Sequence, residues 1–506
     1  MNLDIPSKLH RALLGLALFL GVGNHARATW SVVVVDLATR EVAVACATCI
    51  ENIDLLPRLP ALRPGLGAGN VQAWWDSDGK KRKRMWDGFG AGETPHQILD
   101  ALRNPSYQYG IVNVFGPPVS YTGSGAQDGV CNVAGQVGSL RYAIQGNVIA
   151  GDAVCLAAEA ALVSTPGDLA TRVMAAMEAA RAMGGDGRCS CSFNDPDGCG
   201  TPPPGTWKSA HTAFIALARV GDEEVPCNAN GCPDAPIYLA RSVAGTAADI
   251  DPIFELQQKV DQWRAKQKGR PDQLLSEVFV DRVQLVADGT SRARVDVLLR
   301  DIEGDPLTSG GALLTIENAL GDPIALPGPV TDHGDGTYSF DLVATAAVGR
   351  ARFSISVDFG GNRPRALWPY IDLESDSIVD LHAGQWNLSA SQAQPLPLTI
   401  NRGAGEAGRP YRLLLSAAGT YPGIDLGAVV LPLNRDALLV EAWTAPDPPT
   451  FEGFTGVLDS AGRAEAWLDL PPSTLISLVG ERLNLCAVLG APASGVTSVS
   501  SLWIVP

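Results

Sequence analysis

The sequence predicts a multidomain chain: an N-terminal α+β layered domain followed by all-β domains. Three observations lead there. At 506 residues the chain is too long for one ordinary core, and about two to four domains are expected. Between Thr29 and about Thr246, apolar runs of strand length alternate with segments of helical period, the pattern of sheets layered with helices. After about Leu275 the helical period is lost. Val283/Leu285 and Ala293/Val295/Val297/Leu299 alternate with polar residues, as strands with one buried face do. Turn signals recur there at Asp288-Gly289, Glu303-Gly304-Asp305 and Asp335-Gly336.

The first element is a leader. Lys8, His10 and Arg11 are followed by an apolar run from Ala12 to about Val22 and by the small-x-small site Ala26-Arg27-Ala28. This reads as a signal peptide over residues 1–28, cut before Thr29. Trp30 to Asp36 and Val42 to Ala47 read as a strand hairpin turned by Ala38-Thr39-Arg40. Thr94 caps a helix that has Pro95 in its first position. Asp152 to Leu162 reads as a second helix, and Thr165-Pro166-Gly167-Asp168 opens a third, ended by Gly184-Gly185. Ala213 to Val220 returns as a strand, and Asp251-Pro252 starts a connector helix. The last segment, with Leu413 to Leu415, Ala428 to Leu433 and Leu438 to Ala442, reads as strand-rich. The expected domains are 29–248, a connector over 249–275, an immunoglobulin-like β domain over 276–375 and a C-terminal β-rich domain over 376–506.

The formal net charge of -16 argues against a nucleic-acid partner, which needs a basic face. The leader's apolar run is too short to span a bilayer, and no later stretch is long and apolar enough. A secreted or periplasmic location is therefore expected. Nine of the ten cysteines lie between Cys46 and Cys232, which in an oxidising compartment reads as loop-stapling disulfides, their pairing open. A zinc site is the weaker reading, because Cys189-Ser190-Cys191 and Cys227…Cys232 lack knuckle spacing. No metal or other cofactor is expected. The basic run Lys80 to Arg84 reads as a solvated loop.

Several ordered pieces carry a resemblance. They are Thr29-Trp30-Ser31 leading to Asp36, Glu41 to Thr48, Gly69-Asn70-Val71-Gln72-Ala73, Thr122-Gly123 with Cys131, Gln145-Gly146-Asn147, Gly184-Gly185-Asp186-Gly187-Arg188, and Ser209-Ala210. Together they resemble the bacterial Domain of Unknown Function 1028 family over about residues 29 to 220. Two departures are the segment after Gln72, with Trp74-Trp75, and the cysteine-bearing insertion from Cys189 to Lys208. The family is similar in fold to N-terminal-nucleophile (Ntn) hydrolases, so the resemblance implies a four-layer αββα domain and amide chemistry. Further on, Asp332 to Phe340 resembles the turn-then-strand signature of invasin-like or filamin-like immunoglobulin modules.

A threonine with a free α-amino group carries nucleophile and base in one residue. Thr29 is the candidate nucleophile on an amide or peptide-like bond, its amine exposed by leader removal. Asp36, Thr48, Gln72, Gln145, Asn147, Asp186 and Arg188 are the candidate site-lining residues. Plainer readings stand beside these. Asp36 also reads as a turn former, Gln145-Gly146-Asn147 as a turn, Asp186/Arg188 as an ion pair at a helix end, and His211 as a core histidine. The alternative function is a catalytically silent Ntn-like domain in a binding or surface-adhesion protein, with cell-surface or homo-oligomer contacts through the β domains. Calcium-dependent adhesion through Asp332 and Asp335 is weaker, since no complete calcium loop is present.

Overall fold

β-branched residues fill the first strand of the chain, β1 (Thr29–Asp36), which is buried along nearly its whole length. The computed structural model describes residues 29–126, 129–227, 237–360, 364–376, 380–385, 387–390, 394–420, 423–444 and 450–505. The expected leader lies outside the described residues. The chain divides into two units, Met1–Gln262 and Trp263–Pro506.

In the first unit, β1 turns into β2 (Val42–Thr48). Asp36 Oδ1 accepts the amide of Ala38 at 2.8 Å, and Arg40 closes the turn with φ 61°. The elements that follow are β3 (Pro60–Arg63), β4 (Gly67–Gln72), α1 (Lys80–Gly90), α2 (Pro95–Leu102), β5 (Gln108–Asn113) and β6 (Gly116–Thr122). Next come β7 (Cys131–Val137), β8 (Leu140–Asn147), α3 (Ala153–Ser164), α4 (Leu169–Ala182), α5 (Gly187–Ser190), β9 (Thr212–Ala218), β10 (Leu239–Ala244) and α6 (Pro252–Gln267). Thr94 and Gln97 form a capping box at α2, and the Asp168 carboxylate caps α4.

Two antiparallel sheets result, in the orders β10-β9-β2-β1-β8-β7 and β3-β4-β5-β6. They pack face to face, with β1 and β8 against β4, β5 and β6. Helices α3 and α4 cover the outer face of the larger sheet, and α1 and α2 cover that of the smaller. The alternation of strand side chains sends Trp30, Val32 and Val34 to one face of β1, and Thr29, Ser31, Val33 and Val35 to the inter-sheet face. The Lys80–Arg84 run is not a loop. It forms the first turns of α1 because Met85, Trp86 and Phe89 bury one helix face, and Arg82, itself buried, bonds Asp76 at 3.1 Å.

In the second unit, two sheets over residues 277–376 enclose a core of Val295, Val297, Phe340, Leu342, Phe353 and Ile355. Along Arg292–Leu298, buried Ala293, Val295 and Val297 alternate with exposed Arg292, Arg294 and Asp296, as in a strand with one buried face. Further sheets over residues 381–505 enclose a separate core around Leu413, Leu415, Phe451, Leu485 and Leu489. Leu438 to Ala442 is not strand but lies within a helix, Ala437–Thr444. A five-residue apolar run fits a buried segment of either kind, and here the Asp436 carboxylate accepts the Leu439 amide at 2.8 Å and so caps a helix start. Among the described residues no helix is long and apolar enough to cross a membrane.

Candidate functional site

The inter-sheet face changes character along β1. At its Asp36 end the sheet rows are apolar: Ala143, Val33, Val44 and Ala216 lie side by side. Two residues nearer Thr29 the row becomes Gln145, Ser31, Cys46 and Phe214. At the end, Asn147 pairs with Thr29 and Thr48 pairs with Thr212. The polarity therefore gathers at one end of one sheet, and Thr29 heads it.

These groups are buried and bonded to one another. Gln72, 2 % exposed, accepts the Ser31 hydroxyl at 2.6 Å and the Asn70 amide at 2.8 Å. Its Nε2 donates to the Thr29 carbonyl at 2.9 Å and to Gln108 Oε1 at 2.8 Å. Gln145 Nε2 donates to Ser31 Oγ at 2.6 Å. Gln108 Nε2 reaches the Gly146 carbonyl and Thr122 Oγ1, which in turn donates to Asn132. Gly110 makes room for this layer, since a Cβ there would lie 2.4 Å from Gln145 Nε2. Thr29 is 4 % exposed. In the 506-residue chain its nitrogen is the peptide amide following Ala28. Buried atoms without a hydrogen-bond partner among the described residues include Asn70 Oδ1, Asn147 Oδ1 and Thr212 Oγ1.

Asp186 approaches the same end from the loop after α4. Its carboxylate accepts the Cys49 amide at 2.7 Å and pairs with Arg188 at 2.8 Å. Arg188 Nη2 also donates to Thr48 Oγ1 at 3.3 Å. A Cys49–Cys189 disulfide fastens the two segments, and His211 Nε2 lies 3.2 Å from Cys189 Sγ. Burial and the nearby Lys208 charge hold the His211 pKa below its ordinary value. Cys49, Cys189 and His211 bring three ligand-type atoms within 4.8 Å, but the disulfide consumes both thiolates that a metal would need. Cys131–Cys155 and Cys191–Cys199 are also bonded.

Thr29, Thr48, Gln72, Gln145, Asn147, Asp186 and Arg188 thus share one end of the first unit. Asp36 does not. It sits at the other end of β1 and holds the hairpin turn, with its carboxylate taken by the amides of Ala38 and Thr39. Gln145-Gly146-Asn147 is the end of strand β8 and not a turn. Asp332 and Asp335 are turn formers too: Asp332 accepts the amides of Gly311 and Gly334, and Asp335 accepts Thr337. Sequence reasoning missed Ser31, Asn70, Gln108, Thr122 and Thr212. The available signal was a polar residue at an inward position of an otherwise apolar strand, with Asn70 and Gln72 two residues apart.

Fold and site define a layered α+β domain, with a buried polar layer at one end, joined to immunoglobulin-like β domains. Residues 29–193 match the model of the Family of unknown function (DUF1028), and residues 272–364 match that of Invasin, domain 3. The first match ends inside the cysteine-bearing insertion. Among solved structures, the chain is similar to the protein SPO2555 from Silicibacter pomeroyi, of the same DUF1028 family, at 15 % identity, with a TM-score of 0.32, covering 46 % of this chain and 88 % of that one. It is also similar to the Yersinia pseudotuberculosis adhesin InvE at 18 % identity, with a TM-score of 0.16, covering 45 % of this chain and 58 % of that one. The Escherichia coli adhesin FdeC matches at 14 % identity, with a TM-score of 0.18, covering 59 % of this chain and 76 % of that one.

Proposed function

We propose that this is an exported surface-binding protein in which the N-terminal domain is a catalytically silent Ntn-like scaffold and the β domains make the contact. The carrying observation is the buried hydrogen-bonded layer at the head of β1. Gln72 and Gln108 bond each other, Ser31, Asn70, Thr122 and backbone carbonyls, and Gln145 bonds Ser31, around a buried Thr29. The match of residues 272–364 to an invasin domain supports contact with a surface. The succession helix pair, sheet, sheet, helix pair supports reading the domain as αββα. The domain limits 29–248, 276–375 and 376–506 and the exported location belong to this proposal.

A second reading, amide hydrolysis, is favoured by the unpartnered Asn147 Oδ1 opposite Thr29 and the unpartnered Thr212 Oγ1 opposite Thr48. In it, leader removal frees the Thr29 amine, which takes the hydroxyl proton as Oγ1 attacks a carbonyl and later protonates the leaving nitrogen. One experiment separates the two. The secreted chain is analysed by intact mass and treated with a β-lactone probe. The silent scaffold predicts no adduct even when the chain begins at Thr29. An adduct that Thr29→Ala abolishes overturns the silent reading and establishes the second.

A further inference from the structure

The Cys49–Cys189 disulfide differs from the others in its surroundings. Cys49 directly follows Thr48 and Cys189 directly follows Arg188, so the bond staples the two residues whose side chains meet at 3.3 Å. It joins points 140 residues apart in sequence. Both cysteines are half-buried, whereas Cys131 and Cys155 are buried.

His211 is fixed against this bond. Its backbone amide donates to the Thr48 carbonyl at 2.9 Å, and its ring Nε2 faces Cys189 Sγ at 3.2 Å and Glu51 Oε1 at 3.8 Å. Both neighbours are acceptors, while Nδ1 is buried with no partner among the described residues. That arrangement assigns the proton to Nε2. The ring therefore points an N–H at one sulfur of the pair. Among the described residues, Cys49 Sγ meets no such donor.

We propose that Cys49–Cys189 is a reducible latch, with Cys49 as the sulfur attacked and Cys189 as the leaving thiolate. The reductant is a thiol, small or carried by a dithiol protein. Its thiolate bonds to Cys49 Sγ as the S–S bond breaks, and the electron pair goes to Cys189, where the His211 N–H stabilises it. The second thiolate of a dithiol then displaces the first from Cys49. The reductant ends as a disulfide, oxidised by two electrons, and the protein gains two thiols. Arg188 and Thr48 lose their covalent tie, and the segment carrying Asp186 is then held on the end of β2 by its hydrogen bonds to Cys49 and Thr48 alone.

The test uses the full oxidised chain. A monothiol, 2-mercaptoethanol, is added, free thiols are trapped with iodoacetamide, and peptides are weighed over time. The expected products carry the mixed disulfide on Cys49 and the alkyl group on Cys189. Because leaving-group ability controls the rate, His211→Ala should slow this pair roughly ten-fold relative to Cys191–Cys199 in the same molecule. His211→Gln, which keeps an N–H in place, should restore part of the rate. Hydrogen exchange should quicken at Thr48–Cys49 and Asp186–Cys191 after reduction. The adduct appearing first on Cys189, or an unchanged rate ratio in His211→Ala, overturns the latch.

Discussion

Gln72→Met tests whether the polar layer at the head of β1 is bonded within itself. The two side chains have the same reach, so the exchange opens no cavity and isolates the polar loss. It removes the acceptor of the Ser31 hydroxyl at 2.6 Å and of the Asn70 amide at 2.8 Å, and the donor to Gln108 Oε1 at 2.8 Å. It also removes the donor to the Thr29 carbonyl at 2.9 Å. Ser31, Asn70 and Gln108 are all fully buried, and a stranded buried group costs about 1–3 kcal/mol. Three such groups amount to about 4 kcal/mol, with the carbonyl adding little because its second lone pair can still be used. In a unit of this size that lowers Tm by roughly 10 °C. Calorimetry of the full chain reads the shift, and hydrogen exchange along Val32–Val35 assigns it to the first unit. A Tm within about 2 °C of the parent would refute the reasoning. The amides would then be exchanging with solvent or a ligand, and the bonded-layer basis of the silent reading would fail.

Two further outcomes follow from the electrostatics. Burial, then Lys208 and Arg188, lower the His211 pKa, opposed by Glu51 and Asp186. The unfolded chain thus takes up this proton first as pH falls, and the stabilisation present above about 6.5 is lost through the more acidic folded value. Denaturant midpoints of the first unit should therefore drop below pH 6.5, and His211→Gln should flatten that slope; an unchanged slope contradicts the assignment. In the second unit, the Asp380 carboxylate, 1 % exposed, accepts the Ser498 amide at 2.7 Å and its hydroxyl at 3.0 Å, and pairs with Arg402. Asp380→Ala should destabilise residues 381–505 by about 3 kcal/mol, read as a lower denaturant midpoint by tryptophan fluorescence; a loss under about 1 kcal/mol would mean that water satisfies Ser498 and Arg402.

Local signals made much of the first unit legible. The valines of β1 and the Thr94 and Asp168 caps each place their element through neighbours only a few residues away. Lys80 to Arg84 misled because its charge outweighed the apolar positions following it. What makes that run helical is non-local, namely burial against β3 and β4. Cysteine pairing was likewise undecidable, since Cys49 meets Cys189 only once β2 and the loop after α4 have been brought together. Gln108 carried no chemical signature alone. Its role depends on Gln72 lying opposite it across β4 and β5.

Backbone conformation points to the same end of the domain. Of four non-glycine residues with positive φ among the described residues, Arg40 belongs to the hairpin, while Ala73 (69°) follows Gln72, Val148 (54°) follows Asn147 and Asn52 (55°) lies three residues past Cys49. A left-handed β-branched residue costs on the order of 1–3 kcal/mol and persists only where its surroundings over-determine it. At Val148 the cause is visible. The turned chain gives its carbonyl to the Gly187 amide at 3.1 Å and bridges Ile149 to Asp186, which sets that carboxylate under Cys49. Strain, buried amides, ion pair and disulfide therefore converge on the head of β1, whereas the far end of the strand has an ordinary turn. In a silent scaffold that convergence ties the head of β1 to the loop after α4. An amide hydrolase needs a free amine at Thr29 as well. The second reading requires the peptide bond between Ala28 and Thr29 to be cut, and an exported silent scaffold loses it too. The Thr29 adduct is therefore where the two readings part. If the peptide bond stays intact, the polar layer has no base at Thr29 and can only hold the domain together. If it is cut, an amine stands at the head of that layer, where the second reading uses it as the base.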